Sequence, residues 1–226
     1  MKHIGIIGVS AEGAALCFKT ICAEAGKKLG DFIHPEITIH EQSSKLYFDA
    51  EPDWRKIADI LLVSAQKLSK AGADFAIIPS NTMHFAFSEV KERSPIPLLS
   101  IVEVAADECA ERRVKKVGVL GTKLTMEGGL YTSILSQRGV EVIVPESDDR
   151  NIIDQIIFKE IVPSRVTEHT ARSVLAVIKN LQDAGAEAII LGCTELPIVV
   201  DDSNSSVPTI DTTRLLARKA LEYALS

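Results

Sequence analysis

The sequence predicts an α/β protein of two pseudo-symmetric domains, each a short parallel sheet flanked by helices. Three observations predict it. Short β-branched runs alternate with amphipathic stretches, the alternation covers the chain, and the second half repeats the first. Moved along itself by 113 residues, half of its 226, the chain aligns without gaps in several places. Ile4-Gly5-Ile6-Ile7-Gly8 falls on Val117-Gly118-Val119-Leu120-Gly121, and Ala71-Gly72-Ala73-Asp74 falls on Ala184-Gly185-Ala186-Glu187. Leu62, Leu68 and Pro95 fall on Leu175, Leu181 and Pro208. One offset serving a strand, a helix and a late proline marks a duplicated unit.

Each half reads strand, helix, strand, helix, strand, helix. The expected strands are residues 4–9, 36–40, 75–79 and 97–101, then 116–121, 140–144, 187–192 and 207–211. All are too short for helices, and most end at Gly, Ser or Pro. The clearest helices are 54–71, with Trp54, Ile57, Leu61, Leu62 and Leu68 on one face, and 167–184, with Ala171, Val174, Leu175, Ile178 and Leu181. Both run into Ala-Gly-Ala, where the glycine suits a helix C-terminus. The expected domains are 1–98 plus 207–226, and 99–206. Alternating strands and helices imply parallel sheets covered on both faces. In such sheets ligands bind beyond the carboxyl ends of the strands, which two domains can turn toward each other across a cleft.

Composition removes several function classes. A net charge of −6, from 25 basic against 31 acidic residues, argues against a nucleic-acid partner. No apolar run approaches the roughly 18 residues of a membrane span. The apolar start reads as a first strand rather than a signal peptide, because Glu12 follows at once. Four cysteines (Cys17, Cys22, Cys109, Cys193) are too sparse for a disulfide framework, so a cytoplasmic protein with reduced thiols is expected. Gly8-Val9-Ser10-Ala11-Glu12-Gly13 is neither a nucleophile elbow nor a dinucleotide loop, and no metal-ligand spacing occurs.

The chemistry gathers after the third strand of each half. There the offset carries Ser80-Asn81-Thr82-Met83-His84 onto Cys193-Thr194-Glu195-Leu196-Pro197. Each segment opens a turn from strand into helix, where free backbone N–H groups favour an anion and are expected to depress a thiol pKa. Two small polar side chains related by pseudo-symmetry suit proton abstraction from one face of a small carboxylate and return from the other. Asn81, Thr82 and Thr194 stand beside them as candidate substrate hydrogen-bonders. Thr122, the mate of Val9, and Ser10 lie at the ends of the leading strands. Gln42, Lys45, Lys123 and Arg165 are candidates for a side-chain carboxylate. His84 either braces the site or is an ordinary polar helix residue.

Ser80-Asn81-Thr82-Met83-His84 resembles the Cys-Asn-Thr-x-His motif of the aspartate/glutamate racemase family, and Gly192-Cys193-Thr194-Glu195 resembles its Gly-Cys-Thr-Glu motif. The likeness extends through Ile6–Glu12, Leu120–Glu127 and the stretch from Pro145 to Phe158. It implies a racemase of aspartate or glutamate with no cofactor and no metal, a small amino-acid substrate, and a homodimer. It also implies Cys193 and the Ser80 position as the two proton-transferring groups. The chain departs from the family at its first cysteine, where Ser80 stands. Either the pair is naturally asymmetric, or a serine has replaced a cysteine. The alternatives are a one-cysteine decarboxylase or cis-trans isomerase of the same superfamily, and a non-catalytic amino-acid-binding protein.

Overall fold

Five apolar residues, Ile4–Gly8, form the fully buried strand β1 in the computed structural model of the protein, which describes residues 1–226. The chain divides into two compact units, Met1–Val104 with Thr213–Ser226, and Ala105–Thr212. In the first unit β1 is followed by α1 (Ala11–Leu29), β2 (Ile37–Glu41), α2 (Lys45–Phe48), α3 (Trp54–Lys70) and β3 (Phe75–Ile77). A 3-10 turn (Thr82–Ala86), α4 (Phe87–Arg93) and β4 (Leu98–Leu99) complete the sheet, and α5 (Ile101–Glu111) carries the chain onward. The second unit runs β5 (Lys116–Leu120), α6 (Lys123–Glu127), α7 (Leu130–Leu135), β6 (Glu141–Ile143), α8 (Ser147–Ile156) and α9 (Glu168–Asp183). Then come β7 (Ala188–Leu191) and β8 (Thr209–Asp211), and α10 (Thr212–Leu225) returns to the first unit.

The duplication is visible in the topology. One sheet has the order β2-β1-β3-β4 and the other β6-β5-β7-β8, with every pairing parallel. The predicted fold class is therefore the observed one. Both faces of such sheets must be covered, and the helical stripes do this. In α3, Ile57, Leu61, Leu62, Ala65 and Leu68 are buried, each large side chain contributing about 2 kcal/mol. Asp53 caps the start of α3, accepting the Lys56 N–H at 3.0 Å. In α9, Val174, Val177, Ile178 and Leu181 are buried, and Thr167 and Thr170 form a reciprocal cap. The two helices end alike, with Gly72 at φ +90° and Gly185 at φ +96°. Only glycine takes that conformation without a steric penalty, which is why both copies carry it.

Two details differ from the sequence expectation, both for local reasons. The strand expected at 97–101 pairs only through Leu98 and Leu99, because Ser100 caps α5 by accepting the Glu103 N–H at 3.2 Å. The turn after Cys193 continues not as an α-helix but as a three-residue 3-10 helix, Leu196–Ile198, with Pro197 in its first turn. No helix is long and apolar enough to cross a membrane.

Candidate active site

The carboxyl edge of the first sheet brings five of the expected residues to strand-end turns. Ser10 caps α1, its Oγ accepting the Gly13 N–H at 3.3 Å. Ser80 follows β3; its N–H donates to Ile78 O at 2.8 Å, and its side chain is half-buried. Asn81 is buried and Thr82 partly so, both on the same turn. Gln42, after β2, donates its amide to Ile60 O at 2.9 Å and to Ser64 Oγ at 3.2 Å, so its NH2 group is tied to α3. Lys45 is exposed and paired with Asp49 at 2.6 Å.

His84 closes the Ser80 turn. Its Nδ1 lies 2.7 Å from Ser80 O, and its Nε2 accepts the Ile101 N–H at 3.1 Å. An amide N–H can only donate and a carbonyl can only accept, so the ring is neutral with its proton on Nδ1. Burial pushes its pKa down to about 4, against a smaller upward pull from the Ser80 hydrogen bond. The ring stacks on Phe87 with centroids 4.7 Å apart. His84 therefore braces the turn.

The second sheet presents the matching edge. Thr122 caps α6, accepting the Thr125 N–H at 3.3 Å, while Lys123 Nζ donates to Asn151 at 3.1 Å. Gly192 is forced by packing: a Cβ there would lie 2.9 Å from Leu120 O, a backbone atom that cannot yield. Cys193 and Thr194 follow, both buried. The Cys193 thiol donates to Glu195 Oε2 at 3.0 Å, and the Thr194 hydroxyl donates to the same oxygen at 2.6 Å. Arg165 lies in the exposed stretch 162–166, its N–H held by Glu160 O at 2.6 Å. Just before it, a π turn (Ile157–Ile161) shares an apolar cluster with Cys193 and Leu196. No group of three or more His, Cys, Asp and Glu side chains has the arrangement of a metal site.

The thiol corrects one expectation. A helix N-terminus was expected to depress its pKa; instead Cys193 is raised well above the ordinary thiol value. Burial is the largest cause, followed by the negative charge of Glu195 and the hydrogen bond that Glu195 accepts. The amides of Glu195 and Leu196 pull the other way and lose, because a three-residue 3-10 helix has almost no macrodipole. At rest the pair is thus a thiol beside a carboxylate. Glu195 is the functional candidate that residue-by-residue reading passed over, although it closes the Gly-Cys-Thr-Glu motif two residues from the thiol.

Residues 4–220 match the Asp/Glu/Hydantoin racemase family. The chain is 29% identical over 196 residues to the broad-specificity amino-acid racemase RacX of Bacillus subtilis, covering 87% of this chain and 85% of that one. A Yersinia pestis crystal structure described provisionally as an Asp/Glu racemase superposes with a TM-score of 0.91 at 33% identity, each chain wholly covered. An aspartate racemase homologue from Pyrococcus horikoshii superposes with a TM-score of 0.88 at 32% identity, again over the whole of both chains.

Proposed function

The chain belongs to the Asp/Glu/Hydantoin racemase family, and from that premise we propose that it interconverts the enantiomers of an acidic amino acid, aspartate or glutamate, without a cofactor. One observation carries the reading. Ser80 and Cys193 occupy the same turn in two copies of one sheet topology, and the thiol has a carboxylate 3.0 Å away.

In this reading Cys193 removes the Cα proton of the L-acid. Its own proton must first leave, and Glu195 Oε2 is the acceptor within reach, with Thr194 holding that oxygen in place. The sulfur then takes the Cα proton, and the carbanion receives a proton from the Ser80 hydroxyl on its other face, leaving an alkoxide that water reprotonates as Glu195 releases its proton to solvent. That step is slow, because a serine gives up and recovers its proton far less readily than a thiol. The α-carboxylate is met by amides and hydroxyls of Asn81, Thr82 and Thr194, whose charge-assisted bonds also stabilise the carbanion-like transition state. Ser10, Gln42, Thr122 and Arg165 complete the proposed substrate contacts. A cytoplasmic homodimer belongs to the same reading, and size-exclusion chromatography with light scattering tests the dimer.

One observation favours a second reading. A single thiol held protonated is suited to donating a proton once, as a decarboxylase of a malonate-type acid requires.

The deciding experiment incubates each enantiomer of aspartate and glutamate in D2O and follows loss of the Cα–H signal by NMR. Exchange that disappears in Cys193→Ser supports the racemase. No exchange with any of the four acids, together with CO2 release from an aryl- or alkylmalonate, overturns it in favour of the decarboxylase.

A further inference from the structure

We propose that His84 is the positioning residue for the Ser80 side of the reaction, acting as a neutral bridge and not as an acid or base. The inference rests on the racemase reading for its catalytic consequence and on geometry for the rest. Ser80 has both backbone polar groups tied: its N–H to Ile78 O at 2.8 Å and its carbonyl to His84 Nδ1 at 2.7 Å. His84 in turn gives its own N–H to Asn81 O at 2.9 Å, so residues 78–84 form one closed turn. The ring then ties that turn to the first residue of α5, through the Ile101 N–H at 3.1 Å. With these bonds made, the imidazole holds the backbone from which the Ser80 side chain projects.

The bridge demands one protonation state. An imidazolium would set an N–H against the Ile101 N–H, and the other neutral tautomer would leave both partners unmet. Both nitrogens are occupied, so neither is open to a substrate proton. The second unit shows that the device is specific to Ser80. The offset that carries Ser80 onto Cys193 carries His84 onto Pro197, which can offer no such bridge. The Cys193 turn is organised by Glu195 instead.

The bridge predicts a particular rescue. Glutamine carries an N–H donor and a carbonyl acceptor on one planar group, so His84→Gln can keep both contacts, whereas His84→Phe keeps the stacking on Phe87 and loses both. Each change is made in the full chain carrying Ser80→Cys, and iodoacetamide labelling is followed separately at position 80 and at Cys193 by peptide mass spectrometry. The expected result is that His84→Phe changes labelling at position 80 by about fivefold or more, the ratio matching one hydrogen bond of about 1 kcal/mol. Labelling of Cys193 stays put, and His84→Gln leaves both sites near the parent rates. Unchanged labelling at position 80 in His84→Phe, or His84→Gln as altered as His84→Phe, overturns the proposal. Should His84→Phe not fold, 15N NMR of the unaltered protein decides: a neutral ring protonated on Nδ1 at pH 6 supports the bridge, and an imidazolium there sinks it. Because labelling and NMR need no turnover, a protein that exchanges no Cα proton defeats the racemase reading without deciding the bridge.

Discussion

Replacing Glu195 by glutamine separates the two roles that the proposed reaction gives the carboxylate on one atom. Its charge lies 3.0 Å from the Cys193 sulfur and opposes ionisation of the thiol. Two like charges about 4 Å apart repel by about 4 kcal/mol at an effective dielectric of about 20. Glu195 is partly exposed, so solvent screening reduces this to about 2–3 kcal/mol, close to a hundredfold in thiolate population. Burial, the larger cause of the raised pKa, is untouched, and the glutamine carbonyl can still accept the Thr194 hydroxyl. Glu195→Gln should therefore label faster with iodoacetamide at Cys193, by about a hundredfold near neutral pH. Cys22 serves as the internal control, being partly exposed and distant in sequence.

Catalysis should move the opposite way. A glutamine cannot receive the thiol proton, so Cα–H exchange of the L-acid should fall by about 10²–10⁴, the usual worth of a positioned base. Faster alkylation with slower exchange is a combination that few other roles for Glu195 produce. Labelling that slows or stays constant would refute the claim that its charge keeps the thiol protonated. Labelling and exchange that rise together would show that Glu195 only restrains the sulfur and that its proton leaves by another route.

Three further outcomes follow from the same geometry. Ser80→Cys should raise Cα exchange of the D-acid by orders of magnitude and that of the L-acid far less, measured in D2O by NMR; equal acceleration of both would mean the two faces are wrongly assigned. His84 is held neutral when folded, with its pKa lowered from 6.5 to about 4, so the unfolded chain binds the extra proton between those values. Its contribution of about 3 kcal/mol is fully present above pH 6.5 and lost as the pH falls to about 4, so urea midpoints of the parent should decline more steeply there than those of His84→Gln. Gly192→Ala should cost about 1–3 kcal/mol and weaken exchange with both enantiomers, because a Cβ 2.9 Å from Leu120 O displaces the strand end that carries Cys193; an unchanged melting temperature would contradict this.

The architecture was legible because the duplication preserved features with strict backbone requirements. Gly72 and Gly185, both at positive φ, end equivalent helices, and residues of like polarity fill the same strands on either side of the offset. The apolar stripes of α3 and α9 were equally plain, since a period near 3.6 is a property of sequence alone. Side-chain partnerships were not legible. Whether His84 braces or merely decorates its turn depends on Ile101, which lies 17 positions away and comes near only through the β3–β4 pairing. The direction of the Cys193 shift depends on how deeply the thiol is buried and on where the Glu195 carboxylate points, and the motif specifies neither. The general rule for helix N-termini pointed the wrong way because burial and the Glu195 charge outweigh the amides of a helix only three residues long, Leu196–Ile198.

In the proposed reaction a symmetric scaffold divides the work unequally between its two turns. Their backbones leave equivalent strands in sheets of identical order, yet three positions at the common offset differ in kind. Ser80 stands opposite Cys193 in the alignment, Thr82 opposite Glu195, and His84 opposite Pro197. The second turn thus has a thiol and a carboxylate that can pass one proton between them, so a group on that turn can act as a base and later be restored. The first has a hydroxyl on a backbone held by a ring whose two nitrogens are already committed, so that ring has nowhere to store a proton. In the proposed reaction the Cys193 side therefore sets the rate at which the Cα proton leaves, and the Ser80 side limits how often one returns on the opposite face. Placing a thiol at position 80 alone should lift that limit only partly, because Thr82 supplies no carboxylate to take its proton.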